Sequence, residues 1–169
     1  MRNRCIALTA LIVWSLPVFA QGGTSQTAPN AADEAAIRAL VAKCIEGWNR
    51  GSGEAFAAQF AEDSDYVVVN GMHLEGRQEN AANHQRIFDT FYKGTRVWAE
   101  VKSIRFLRPD VAVMHSVSTI LKPGESPASP QPGAIQTWVV SRHGEEWLID
   151  AFQNTPIAPP TPPPAQPGS

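Results

Sequence analysis

RVWAEVKSIRFLRPDVAVMHSVSTIL, Arg96 to Leu121, and AIQTWVVSRHGEEWLIDAFQ, Ala134 to Gln153, decide the fold. Along both stretches apolar residues recur at every second position, the spacing of strands that lay one face on a core. Pro109-Asp110 interrupts the first stretch and His143-Gly144 the second, each a short turn between antiparallel strands. The reading is four strands, Arg96–Leu107, Val111–Leu121, Ala134–Arg142 and Glu145–Gln153, with a loop over Lys122–Pro132.

Upstream the period is 3.6. Ile37, Leu40, Val41, Cys44, Ile45 and Trp48 form one apolar stripe, with Arg38, Lys43, Glu46 and Asn49 opposite, and Gly51 and Gly53 end that helix. Ser52 suits the cap of a short second helix carrying Phe56 and Phe60. Ser64 to Val69 reads as a strand, and Asn70-Gly71 as a hairpin turn leading back through Leu74. A third helix is expected over Arg77–Tyr92, with Ala81, His84, Phe88 and Phe91 on one stripe. Helices first and a meander last give an α+β fold, three amino-terminal helices covering one face of a curved antiparallel sheet.

The turns assign residues to faces. A two-residue Pro109-Asp110 turn puts Trp98, Ile104, Phe106, Val113, His115, Val117 and Thr119 on the side under the helices. A His143-Gly144 turn adds Gln136, Trp138, Val140, Trp147, Ile149, Ala151 and Gln153. Tyr66, Val68 and Asn70 share one parity and face the same way. The opposite face, with Val101, Met114, Ile135, Val139 and Leu148, is apolar enough to call for a partner, expected to be a second copy of the chain.

The 169 residues carry a net charge of -2 without a block of like charge, which argues against nucleic acid as a partner. Arg2 and Arg4, an apolar run from Cys5 to Pro17, and Val18-Phe19-Ala20 make residues 1–20 an export signal cleaved near Ala20. Export to the periplasm or medium is expected, with no stable membrane insertion after cleavage, because the run is too short to span. Cys44 is then the only cysteine, so no internal disulfide forms. Residues 21–30 read as a linker, 31–155 as the working domain, and 156–169 as a Pro-rich mobile tail.

The runs WNRGSGEAFAAQFAEDSDYVVVNGMHLEGR, RFLRPDVAVMHSVST and QTWVVSRHGEEWLIDAFQNT resemble the nuclear transport factor 2-like superfamily, and within it the SnoaL-like group that includes SgcJ and EcaC. The resemblance implies a cone-shaped sheet closed by three helices around an apolar cavity, in a homodimer. Ketosteroid isomerase, in the same superfamily, uses a carboxylate base with a tyrosine and a protonated aspartic acid. Laid on this chain, its tyrosine position falls on Cys44, its base on Val68 and its acid on Gln136. All three are changed, so isomerisation by that mechanism is set aside, while Gln136 keeps a donor for a ligand oxygen.

The primary reading is an exported small-molecule-binding protein with an apolar cavity. Expected lining residues are Trp48, Tyr66, Val68, Phe88, Trp98, Gln136, Trp138 and Gln153. An alternative is a cofactor-independent isomerase, cyclase or dehydratase acting on a polyketide- or steroid-like substrate, with His115 or His84 as general base. The opposing interpretation of either histidine is a packed, hydrogen-bonded core residue. A further alternative is a dimeric protein-interaction domain whose Pro-rich tail recruits partners. Neither cofactor nor metal is expected: no G-x-G-x-x-G follows a strand, and the four histidines lack ligand spacing.

Overall fold

A computed structural model describes residues 31–126 and 128–158. The expected export signal, the linker at 21–30 and the tail from 159 onward lie outside the described residues.

Helix α1 spans Ala31–Asn49 and buries Ile37, Leu40, Val41, Cys44 and Trp48, the stripe set by its sequence. Helix α2, Gly53–Ala57, starts at Ser52, whose Oγ accepts the Ala55 N–H at 3.1 Å. The two helices touch at Gly47, where a Cβ would stand 2.4 Å from Phe56 N. Only hydrogen fits there. Phe60 was expected on this second helix; instead it opens strand β1, Phe60–Val67, fully buried. The Ile149 N–H donates to Gln59 O and draws the chain into the sheet before another helical turn forms.

The Asn70-Gly71 turn joins β1 to β2, His73–Glu75, with Gly71 at φ 85°. Helix α3 spans Gly76–Asp89, shorter than expected. Its buried stripe is Asn80, Asn83, His84 and Phe88, while Phe91 is 87% exposed beyond its end. Thr90 Oγ1 donates to Arg86 O and the Tyr92 N–H reaches back to Ile87 O, a wider step that ends the helix.

Four long strands follow, β3 Arg96–Arg108, β4 Val111–Leu121, β5 Ala134–His143 and β6 Glu146–Pro156. The six-stranded sheet runs β2-β1-β6-β5-β4-β3, antiparallel except for the parallel β1–β6 pair. The fold is α+β, a curved sheet beneath three helices. Strand β6 takes in Pro156, expected in the tail, opposite Ala134, and the Ile157 N–H donates to Gly133 O. A proline is tolerated there because the strand is ending.

Three bulges correct the assignment of faces. Leu107 is an extra residue in β3, so Phe106 pairs with Ala112 and Ile104 with Met114. A two-residue turn without that bulge would pair Phe106 with Val113. The one-residue slip turns all of β4 over: Ala112, Met114 and Ser116 are buried under the helices, and Val113, His115, Val117 and Thr119 face out. Met114, expected on the outer face, is fully buried. A second extra residue, Lys102, turns Trp98 outward beside Thr119 and leaves Val97, Ala99 and Val101 packed on the core. A third, Asp150 in β6, lets Trp147 and Ile149 face in and then sends Phe152 inward in place of Ala151 and Gln153.

Candidate ligand-binding cavity

Between α1 and the inner face of the sheet lies a cavity of about 80 Å³. Val41, Cys44, Ile45 and Trp48 supply the helical wall, Phe56 and Tyr66 one side, and Val97, Ala99 and Ile120 another. Trp138 and Phe152 stack edge to face at 4.6 Å across β5 and β6 and complete the apolar surround. Trp48 is fixed by its indole N–H, which donates to Thr95 Oγ1 at 3.1 Å, and the Val97 N–H donates to Asn49 Oδ1 at 2.9 Å. These bonds pin the end of α1 to the start of β3. At the opposite end of α1, the Arg142 guanidinium and the Trp147 indole both donate to Asp33 Oδ1.

One end of the cavity is polar. Ser116, Gln136 and Asn154 form a row across β4, β5 and β6, with Ser118 next to it. The Trp138 indole N–H donates to Ser116 Oγ at 2.9 Å, and Ser116 Oγ donates to Gln136 Oε1 at 2.8 Å. Gln136 Nε2 donates to Ser118 Oγ at 2.7 Å and to Asn154 Oδ1 at 3.0 Å. Gln136, expected to offer its amide to a ligand, has both amide hydrogens engaged within the protein.

Two ionisable groups line the cavity. Burial pushes the Cys44 thiol well above its ordinary range, and Cys44 Sγ donates to Phe56 O at 3.7 Å. Burial, with smaller contributions from Cys44 and Tyr92, likewise raises the Tyr66 hydroxyl, which stays protonated. Both therefore serve as neutral groups near pH 7.

The expected site residues divide into three sets. Trp48, Tyr66, Gln136 and Trp138 line the cavity. Val68, Phe88 and His84 pack behind it: Val68 against the core, Phe88 against Trp48 at 5.0 Å, and His84 stacked on Phe56 at 3.9 Å. His84 is 2% exposed, its Nδ1–H donates to Asn80 O at 3.0 Å, and burial holds its imidazole down at about 4. Trp98, Gln153 and His115 stand on the outer face, where His115 Nδ1 meets Ser103 Oγ at 3.4 Å. His115 and Gln136, both expected on the face under the helices, lie on opposite faces of the sheet. Sequence reasoning missed Ser116, Ser118, Phe152 and Asn154, because each has the wrong parity until the bulges are known.

Residues 29–153 match the family model described as a SnoaL-like domain. The chain belongs to the SnoaL-like domain family. Among solved structures, this SnoaL-like chain is similar to a domain of unknown function with a cystatin-like fold from Nostoc punctiforme PCC 73102. The two are 42% identical with a TM-score of 0.71, over 77% of this chain and 80% of that one. A nuclear transport factor 2-like protein of unknown function from Shewanella oneidensis MR-1 is 18% identical with a TM-score of 0.60, over 72% and 98%. A type 2 hexachlorocyclohexane dehydrochlorinase is 15% identical with a TM-score of 0.61, over 80% and 96%. The last two likenesses carry the fold alone, and the SnoaL-like domain stands within the nuclear transport factor 2-like superfamily. No curated protein matches the chain.

Proposed function

We propose that this SnoaL-like protein is an exported binding module for a small apolar molecule held between α1 and the inner sheet face. The lining carries the reading. It is a surround of Val41, Ile45, Trp48, Phe56, Trp138 and Phe152 with a short polar end. Such a surface gains free energy by taking apolar area out of water. Among the described residues, the lining holds neither carboxylate nor imidazole, the groups that a general-base mechanism needs near neutral pH. That supports binding over the isomerase, cyclase or dehydratase alternative. A cavity of about 80 Å³ exceeds the roughly 10–15 Å³ that one water needs and falls short of the roughly 300 Å³ of a drug-sized pocket. A single-ring or short-chain ligand suits it.

Export rests on the sequence of residues 1–20, and the likeness to SgcJ and EcaC rests on the quoted runs. The outer sheet face supports a homodimer: Trp98, Val113, Val117, Val139 and Ile135, the last 39% exposed, form its apolar centre. Among the described residues, no helix is long and apolar enough to cross a membrane. Native mass spectrometry of protein taken from the periplasm of an exporting bacterium tests the reading. The expected species begins at Gln21 and carries a small-molecule adduct lost on denaturation. A bare chain that takes up no apolar compound contradicts the binding function, and retention of Met1 contradicts export.

A further inference from the structure

The polar end of the cavity has a direction, and the indole of Trp138 sets it. An indole N–H only donates, so Ser116 Oγ must accept from it at 2.9 Å. Ser116 is fully buried, and its own hydrogen needs an acceptor, which is Gln136 Oε1 at 2.8 Å. Reversing the Gln136 amide would face Ser116 with a second donor and leave a buried hydroxyl hydrogen unbonded, the more costly arrangement. With the amide so fixed, both Nε2 hydrogens go outward, one to Ser118 Oγ at 2.7 Å and one to Asn154 Oδ1 at 3.0 Å.

Each oxygen in the series has therefore received one bond, whereas the outermost donors have made none. The Ser118 hydroxyl hydrogen and the Asn154 amide hydrogens have no acceptor among the described residues, and both side chains line the cavity. Because both residues bond to the same Gln136 nitrogen, they sit side by side at the polar end of the cavity. No arginine or lysine lines the cavity among the described residues. Burying a carboxylate there would leave its charge unpaired, which disfavours an anion.

We infer that Ser118 and Asn154 form a donor pair that selects a small apolar ligand carrying one uncharged carbonyl oxygen. The inference rests on the binding reading above and specifies which end of the ligand enters first.

Cyclopentanone and methylcyclopentane, similar in size and shape, separate the two claims. Each is titrated against the full chain and against the Ser118→Ala, Asn154→Leu and doubly substituted proteins, following the fluorescence of Trp48 and Trp138. Cyclopentanone is expected to lose about tenfold in affinity in the double variant, while methylcyclopentane holds or gains. Ser118→Ala alone keeps Gln136 bonded to Asn154, and should lose a smaller part of the ketone affinity if the double variant fails to fold. Equal responses of the two probes overturn the donor pair and leave the binding function standing. Binding of neither probe at millimolar concentration overturns both.

Discussion

Trp138 donates its indole N–H to Ser116 Oγ at 2.9 Å, and this one bond orders the polar contacts beneath the cavity. Ser116→Ala leaves the buried indole N–H without its acceptor and Gln136 Oε1 without its donor. The expected cost is about 1–3 kcal/mol, read as a fall of several degrees in the thermal midpoint. Ser118→Ala should cost less, because Ser118 is only half-buried and Gln136 keeps Asn154. Equal losses in the two variants would contradict the ordering.

Gly47→Ala should destabilise the protein although alanine favours helices by about 1 kcal/mol. The new Cβ would meet Phe56 N at 2.4 Å, and backbone cannot swing aside as a side chain can. Overpacking of this kind costs about 1–3 kcal/mol. A variant as stable as the wild type in urea would show that α1 and α2 separate more easily than their packing implies.

Stability should fall between pH 6.5 and 4 because of His84. The unfolded chain takes up a proton near the ordinary histidine value of about 6.5, while burial delays this in the folded chain to about 4. Above pH 6.5 both states are neutral there and the residue adds no pH dependence. Below it the unfolded state binds more protons, so acid favours unfolding, by about 2 kcal/mol at pH 5. Urea titrations at pH 7.5 and pH 5 should show this loss in the wild type and a smaller one in His84→Gln. The same loss in both proteins would assign it to other groups.

His115→Ala should leave cyclopentanone affinity within twofold of the wild type, since the side chain lies across the sheet from the cavity. A large loss in isothermal titration would place a functional imidazole where the register does not.

Val139→Lys puts a charge at the middle of the apolar outer face, beside Val113 and Ala151. If that face joins two copies over about 1,200–2,000 Å², the wild type sediments as a dimer at micromolar concentration and the variant as a monomer. A monomeric wild type rules the interface out.

The local signals in the chain were strong where periodicity extends over many residues. The α1 stripe from Ile37 to Trp48 and the bounds of β4 are legible because each repeats its period several times. The Asn70-Gly71 turn is legible because it needs a positive φ, which glycine supplies. The faces of β3, β4 and the end of β6 were not. Lys102, Leu107 and Asp150 bear no mark of being bulge residues, yet each reverses the parity of everything beyond it. That is why Tyr66, Gln136 and Trp138 were found at the cavity, whereas Ser116, Ser118 and Asn154 were hidden and His115 was put on the wrong side. The alternation around His115 reads equally well in either register, since Val113 and Val117 suit an outer dimer face as well as a core.

A crystal structure of the protein soaked with cyclopentanone measures directly how a ligand lies in the cavity. The prediction is a ring between Trp48, Phe56 and Trp138, with its oxygen within hydrogen-bonding distance of both Ser118 Oγ and Asn154 Nδ2. A ring whose oxygen points away toward Ile120, or a ketone found only on the outer surface, would contradict it.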